Sequence, residues 1–185
     1  MHRSLAPLVL ALALTAGLTG CGDDPRPPVR TAPPPLLIAP GVVGDVEVGM
    51  TRAAWEPTGQ IEDGAALCAE QVRWAGNPEG FVVLSDGTPD ATITQISVFA
   101  RGPRTAHGGI HVGSTYGELR AAFPTTTPPV DDGWDGASTY PPGEEDGRTY
   151  LGFLLGAPAA EVTERTKVTA IAVTGGERPY FQYDC

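Results

Sequence analysis

His107 and His111 stand four residues apart, the spacing at which two imidazoles on one helix face can grip zinc. Gly108 and Gly109 lie between them and favour a loop entering a strand, where the two rings would not share a face. The pair is therefore read as two exposed polar histidines. An acidic run holds Asp131, Asp132, Asp135, Glu144, Glu145 and Asp146, an oxygen-rich composition that can bind calcium. Its spacing matches no EF-hand and Pro141-Pro142 interrupts it, so a solvated loop is expected. Nucleophile motifs are missing: there is no Gly-x-Ser-x-Gly elbow and no Ser-x-x-Lys, and Lys167 is the only lysine. No phosphate-cradling glycine motif follows a strand. Carboxylate neighbours such as Glu62-Asp63 have the chemistry of an acid and a base, but nothing distinguishes them from surface charge. The expectation is a non-catalytic chain with no cofactor and no metal.

The first residues address the chain rather than build a site. A basic start, Met1-His2-Arg3, precedes an apolar run from Leu5 to Leu14. That run is short of the about 20 residues a spanning helix needs and fits a secretory signal. Leu18-Thr19-Gly20-Cys21 then resembles the lipobox of bacterial lipoproteins: an aliphatic residue, two small residues and a cysteine. The resemblance implies cleavage before Cys21 and acyl chains, such as palmitate, on its thiol. The protein would then sit outside the cytoplasm, tied to the cell membrane by lipid alone. Each buried methylene contributes about 0.8 kcal/mol, so two or more chains hold firmly.

Removing the 20 residues before Cys21 leaves 165, enough for one domain or two small ones. Losing Arg3 moves the formal charge from −10 to −11. Such acidity argues against nucleic acid and against direct adhesion to anionic lipid head groups. With Cys21 lipidated, Cys68 and Cys185 remain, an even pair that reads as a disulfide in an exported protein. Two free thiols or a metal pair are the alternatives. A bridge closing a loop that long is worth about 4–5 kcal/mol in the chain-entropy account.

Residues 21–44 read as a disordered tether. They include Pro25, Pro27, Pro28, Pro33, Pro34, Pro35 and Pro40, a density that favours extended polyproline II. At about 3.1 Å per residue the tether would reach roughly 70 Å at most. The folded part looks duplicated, with a first repeat at 45–105 and a second at 106–185. Gly44 to Thr51 and Gly108 to Thr115 both read Gly, any, aliphatic, any, Val, Gly, any, Thr. The alternation suits a short strand, and the closing Thr a helix N-cap. In the second copy Thr115 and Glu118 form a capping-box pattern, with Tyr116 to Phe123 as the helix and Pro124 as its stop. In the first, Pro57 leaves room for a short helix or none. Ile93 to Val98 aligns with Val168 to Val173; both are strands by β-branching and alternation, preceded by strands at Phe81 to Ser85 and Tyr150 to Leu155. The second copy is longer between its helix and its last strand, where the acidic insertion of 128–147 lies.

The predicted class is α+β: two tandem repeats, each a short helix packed on a small antiparallel sheet. An aliphatic-x-Val-Gly-x-Thr phrase opening a helix before a small sheet, repeated twice, resembles the β-lactamase-inhibitor protein fold; single copies are similar to BamE-type envelope lipoproteins. The resemblance covers residues 44 to 185 and implies a non-catalytic module that binds an envelope or secreted protein through its sheet and loops. In the inhibitor each repeat carries its own disulfide, a pattern from which Cys68 and Cys185 depart. Candidate anchors are aromatics: Trp74 and Tyr150, placed at strand starts, and Tyr180, opposite in facing to Phe181, Tyr183 and Cys185 on an expected last strand. A small-ligand or calcium-binding receptor is the second reading, and an uncharacterised hydrolase the third.

Two outcomes are expected. Cys21→Ser should leave the signal uncleaved or miscleaved and move the protein out of the detergent phase; partitioning unchanged from wild type would refute the lipobox assignment. A non-reducing peptide map should link Cys68 to Cys185, and reduction should lower the melting temperature; free thiols at both positions in protein from an oxidising compartment would exclude the bridge.

Overall fold

A computed structural model describes residues 35–62, 71–133, 136–142 and 149–182. The expected signal segment, most of the expected tether and all three cysteines, Cys21, Cys68 and Cys185, lie outside these residues. The described strands are β1 Leu37–Ala39, β2 Val42–Val43, β3 Val46–Glu47, β4 Ile61–Glu62, β5 Gln71–Trp74, β6 Phe81–Ser85, β7 Ile93–Val98, β8 Arg104–Thr105, β9 Val130–Asp131, β10 Ala137–Thr139, β11 Thr149–Leu155 and β12 Val168–Gly175. Helix α1 is Arg52–Trp55 and α2 is Tyr116–Ala122. The class is α+β and mostly sheet, with two short helices. No helix among the described residues is long and apolar enough to cross a membrane.

An antiparallel eight-stranded sheet runs β4-β5-β6-β7-β12-β11-β10-β9. Its first four strands come from the first half of the chain and its last four from the second. The halves meet at β7 and β12, where Val98 faces Ile171 and Ile96 faces Val173. Both strands are mostly apolar or small, Gln95 apart, and are buried on both faces except at Thr94, Thr169 and Gly175. Alternation sorts the side chains: Val83, Ile96, Ile171, Val173, Leu151 and Phe153 enter the core with the helices, and Gln95, Ser97, Ala170, Ala172 and Gly152 face the other way.

The helices differ for the reason their sequences give. In α2 the Glu118 amide donates to Thr115 Oγ1 at 3.2 Å, while the Thr115 amide donates to Glu118 Oε2 at 2.6 Å, a reciprocal cap. Thr51 makes no side-chain cap bond, and Pro57, which has no N–H to donate, tightens the chain after one turn into the 3-10 segment Glu56–Thr58. Each helix still buries one residue completely, Trp55 and Leu119, and the Trp55 indole N–H donates to the Ala91 carbonyl at 3.0 Å.

The two octapeptides dock identically. The Gly49 amide donates to Ile93 O at 2.7 Å and the Ile93 amide to Met50 O at 2.9 Å. Likewise the Gly113 amide donates to Val168 O at 2.8 Å and the Val168 amide to Ser114 O at 2.8 Å. Gly49 and Gly113 have φ of 95° and 103°, backbone that a side chain disfavours. The short strand expected ahead of the glycine forms only in the first copy, as β3.

The tether ends sooner than its prolines suggest. Residues 37–43, within the expected 21–44, form β1 and β2, and Ile38 and Val43 are buried. Leu36 to Ala39 is an aliphatic run between Pro35 and Pro40, so both prolines sit at strand ends where no ladder N–H is needed. β1 continues into a second sheet, β3-β2-β1-β8, pairing in parallel with β8. The acidic insertion is likewise partly strand, supplying β9 and β10. The expected last strand is absent over Tyr180–Gln182, which carry no ladder; Arg178 to Gln182 instead cross the face of the large sheet away from the helices.

Candidate functional site

That crossing segment builds the most distinctive surface among the described residues. Gln95, almost fully buried on β7, grips it both ways: its Nε2 donates to Tyr180 O at 2.7 Å, and the Tyr180 amide donates to its Oε1 at 3.3 Å. The Tyr140 hydroxyl donates to Pro179 O at 3.1 Å, and the Arg178 guanidinium lies 5.2 Å from the Tyr140 ring centroid. Gly152 permits this approach: a Cβ there would stand 3.0 Å from Tyr140 Cε1 and 3.1 Å from Pro179 Cγ. The Gln182 side-chain amide donates to the Asp132 carbonyl and ties the segment to the end of β9.

Between the segment and the edge strands lies a cleft of about 390 Å³. Val130, Tyr140, Arg178, Tyr180 and Phe181 line it. Only three large hydrophobics are exposed among the described residues, and two of them, Val130 at 60% and Tyr180 at 55%, are in this cleft. Aromatic rings beside an arginine, held by backbone bonds rather than loose, are the composition of a protein-contact anchor.

The expected anchors separate. Tyr180 is exposed and in the cleft. Tyr150 is half-buried, opposite Thr174 on the same sheet face but away from the cleft. Trp74 is a core residue, 6% exposed and stacked on Phe81 with centroids 4.3 Å apart. It ends β5 rather than starting a strand, and so shares the inward face of Val72 two residues before it. No local sequence pattern marks Val130, Tyr140 or Arg178. Tyr140 precedes Pro141-Pro142 and Val130 follows Pro128-Pro129, so both looked like loop.

The histidines diverge as the glycines between them suggest. His107 Nε2 is 2.9 Å from Ala122 O and its ring meets Phe123 edge-on, whereas His111 Nδ1 is 3.0 Å from Ser114 Oγ. No group of three or more metal-binding side chains occurs among the described residues. In the acidic insertion, Asp131 Oδ1 accepts the Ala159 amide at 2.6 Å. Two carboxylates are held below their ordinary range. Glu118 is lowered chiefly by the Thr115 amide and then the Thr115 hydroxyl, with Lys167 and His111 adding less; Asp86 is lowered by Thr88.

No family model matches the chain. No curated protein matches it. Among solved structures it is similar to the uncharacterized protein yfeY from Escherichia coli, at 14% identity and a TM-score of 0.47, over 76% of this chain and 99% of that one.

The burial of Trp74 has a measurable consequence. Trp74→Ala should cost about 3–5 kcal/mol of stability, read as an early thermal melt, by removing a buried ring and its stacking on Phe81. A melt within experimental error of wild type would place the ring outside the core.

Proposed function

We propose that this chain is a non-catalytic lipoprotein of the cell envelope, anchored through Cys21, whose folded part is a tandem-repeat protein-binding module. The cleft at Tyr180 carries the reading. It gathers two of the three large hydrophobics exposed among the described residues, it contains Tyr140 and Arg178, and its backbone is held by Gln95 and Tyr140 before any partner arrives. Preorganisation of that kind lowers the entropy lost on association.

The matched docking of Gly49 on Ile93 and of Gly113 on Val168 supports the duplication, as does the burial of Trp55 and Leu119 at corresponding positions. The mirrored strand order about β7 and β12 supports it too. In this reading the helices seal one face of the sheet, and the other face with its edge loops meets the partner. The acidic charge of the chain suits a partner with basic residues around an apolar centre.

Tyr180→Ala in the full chain tests the reading. The side chain is exposed, so the melt should stay within about 0.5 kcal/mol of wild type. Capture of the wild-type partner from envelope extract should weaken by a factor corresponding to about 2 kcal/mol or more. An unchanged captured set, or no partner for the wild type, would remove the module from consideration.

A further inference from the structure

The duplicated docking leaves a notch at the same place in each half, where the glycine of the octapeptide meets the start of β7 or β12. In the first half Glu47, Val48, Gly49, Ile93 and Thr94 line it. In the second their counterparts line it, His111 to Gly113 with Val168 and Thr169. The backbone is repeated but the chemistry is not. The first notch presents Glu47 where the second presents His111, and the second adds Phe99, Arg101, Arg104 and Lys167.

Three exposed cations around one cleft, Arg101, Arg104 and Lys167, are unexpected on a chain of net charge −10 with 12 basic residues in all. Mutual repulsion disfavours such a cluster unless something anionic meets it. The ion pairs among the described residues use other arginines: Arg52 with Glu56, Arg73 with Glu62 and Arg120 with Glu164. None of them uses Arg101, Arg104 or Lys167. Glu118 is an acid near enough to be held lower in part by Lys167 and His111, and its Oε2 already accepts both the amide and the hydroxyl of Thr115. Its cap on α2 would break if it turned to the cleft.

The cleft is an open groove of about 670 Å³, with room for an organic group beside an inorganic ion. Guanidinium forks match phosphate oxygens two at a time, and a phosphate ester, mono- or diester, offers anionic oxygens that several cationic donors can share. Phe99 and the buried Val112 offer an apolar wall for the organic part. We propose that this second-half cleft binds an organic phosphate ester, its phosphate held by Arg101, Arg104 and Lys167. The first-half notch, with Glu47 in place, does not.

Isothermal titration of the full chain in non-ionic detergent at low salt tests this in two arms, one with glycerol 3-phosphate and one with a short-chain phosphatidylglycerol. Saturable one-to-one binding is expected in at least one arm. It should weaken at least tenfold in R101A/R104A and in K167A, and stay unchanged in R73A, which removes a cation remote from the cleft. Binding of glycerol 3-phosphate identifies a free ester as the ligand. Binding of the lipid alone, with the same variant pattern, identifies a lipid headgroup. Absence of binding in both arms, or equal loss in R73A, overturns the proposal.

Discussion

The pairing of β7 with β12 is the constraint on which the rest of the large sheet depends. Each strand is buried on both faces, with Gln95 the one large polar side chain among them, so neither can serve as an edge without placing Ile96, Val98, Ile171 or Val173 in water. Joined, they make the centre of an eight-stranded sheet, flanked on each side by strands that neighbour one another in the chain. The helices need that centre as well. Neither α1 nor α2 is long enough to persist alone, and each is held by one fully buried side chain, Trp55 or Leu119, within the core that the central strands supply.

Small residues on the far side of the centre have a second effect. Ser97, Ala170, Ala172 and Gly152 leave that face shallow, and the segment from Arg178 to Gln182 settles into it through Gln95 and Tyr140. The cleft at Tyr180 is therefore a product of the same strands that close the core. The basic cleft has a parallel origin, since it lies where an octapeptide glycine docks on β12, and it differs from its counterpart on β7 in the segments and side chains around it.

The sequence made much of this legible where one local rule dominated. Alternation and β-branching located β6, β7, β11 and β12 closely, the capping box located α2, and Pro57 foretold the truncation of α1. Legibility failed where a residue's fate depends on neighbours far along the chain. The prolines around Leu36 to Ala39 suggested a tether, but β8, more than 60 residues later, supplies a partner that turns the aliphatic run into a strand. Trp74 was misplaced because its facing follows from where β5 begins. Arg178 and Tyr140 form a site only through the crossing of two distant segments, and no local pattern announces such a crossing.

The separation of β7 from β12 along the chain also orders events during synthesis. β4 to β7 can pair as soon as they emerge, whereas β12 follows some 70 residues later, after the second half has been made. In that interval β7 is an unprotected edge with an apolar face, the kind of surface that pairs with whatever strand is nearest. Its natural partner runs antiparallel to it, so a second copy of β7 in the same orientation offers an equivalent ladder. The first half released alone is therefore poised to join its own copy through β7, and the loop closure that brings β12 home competes directly with that association.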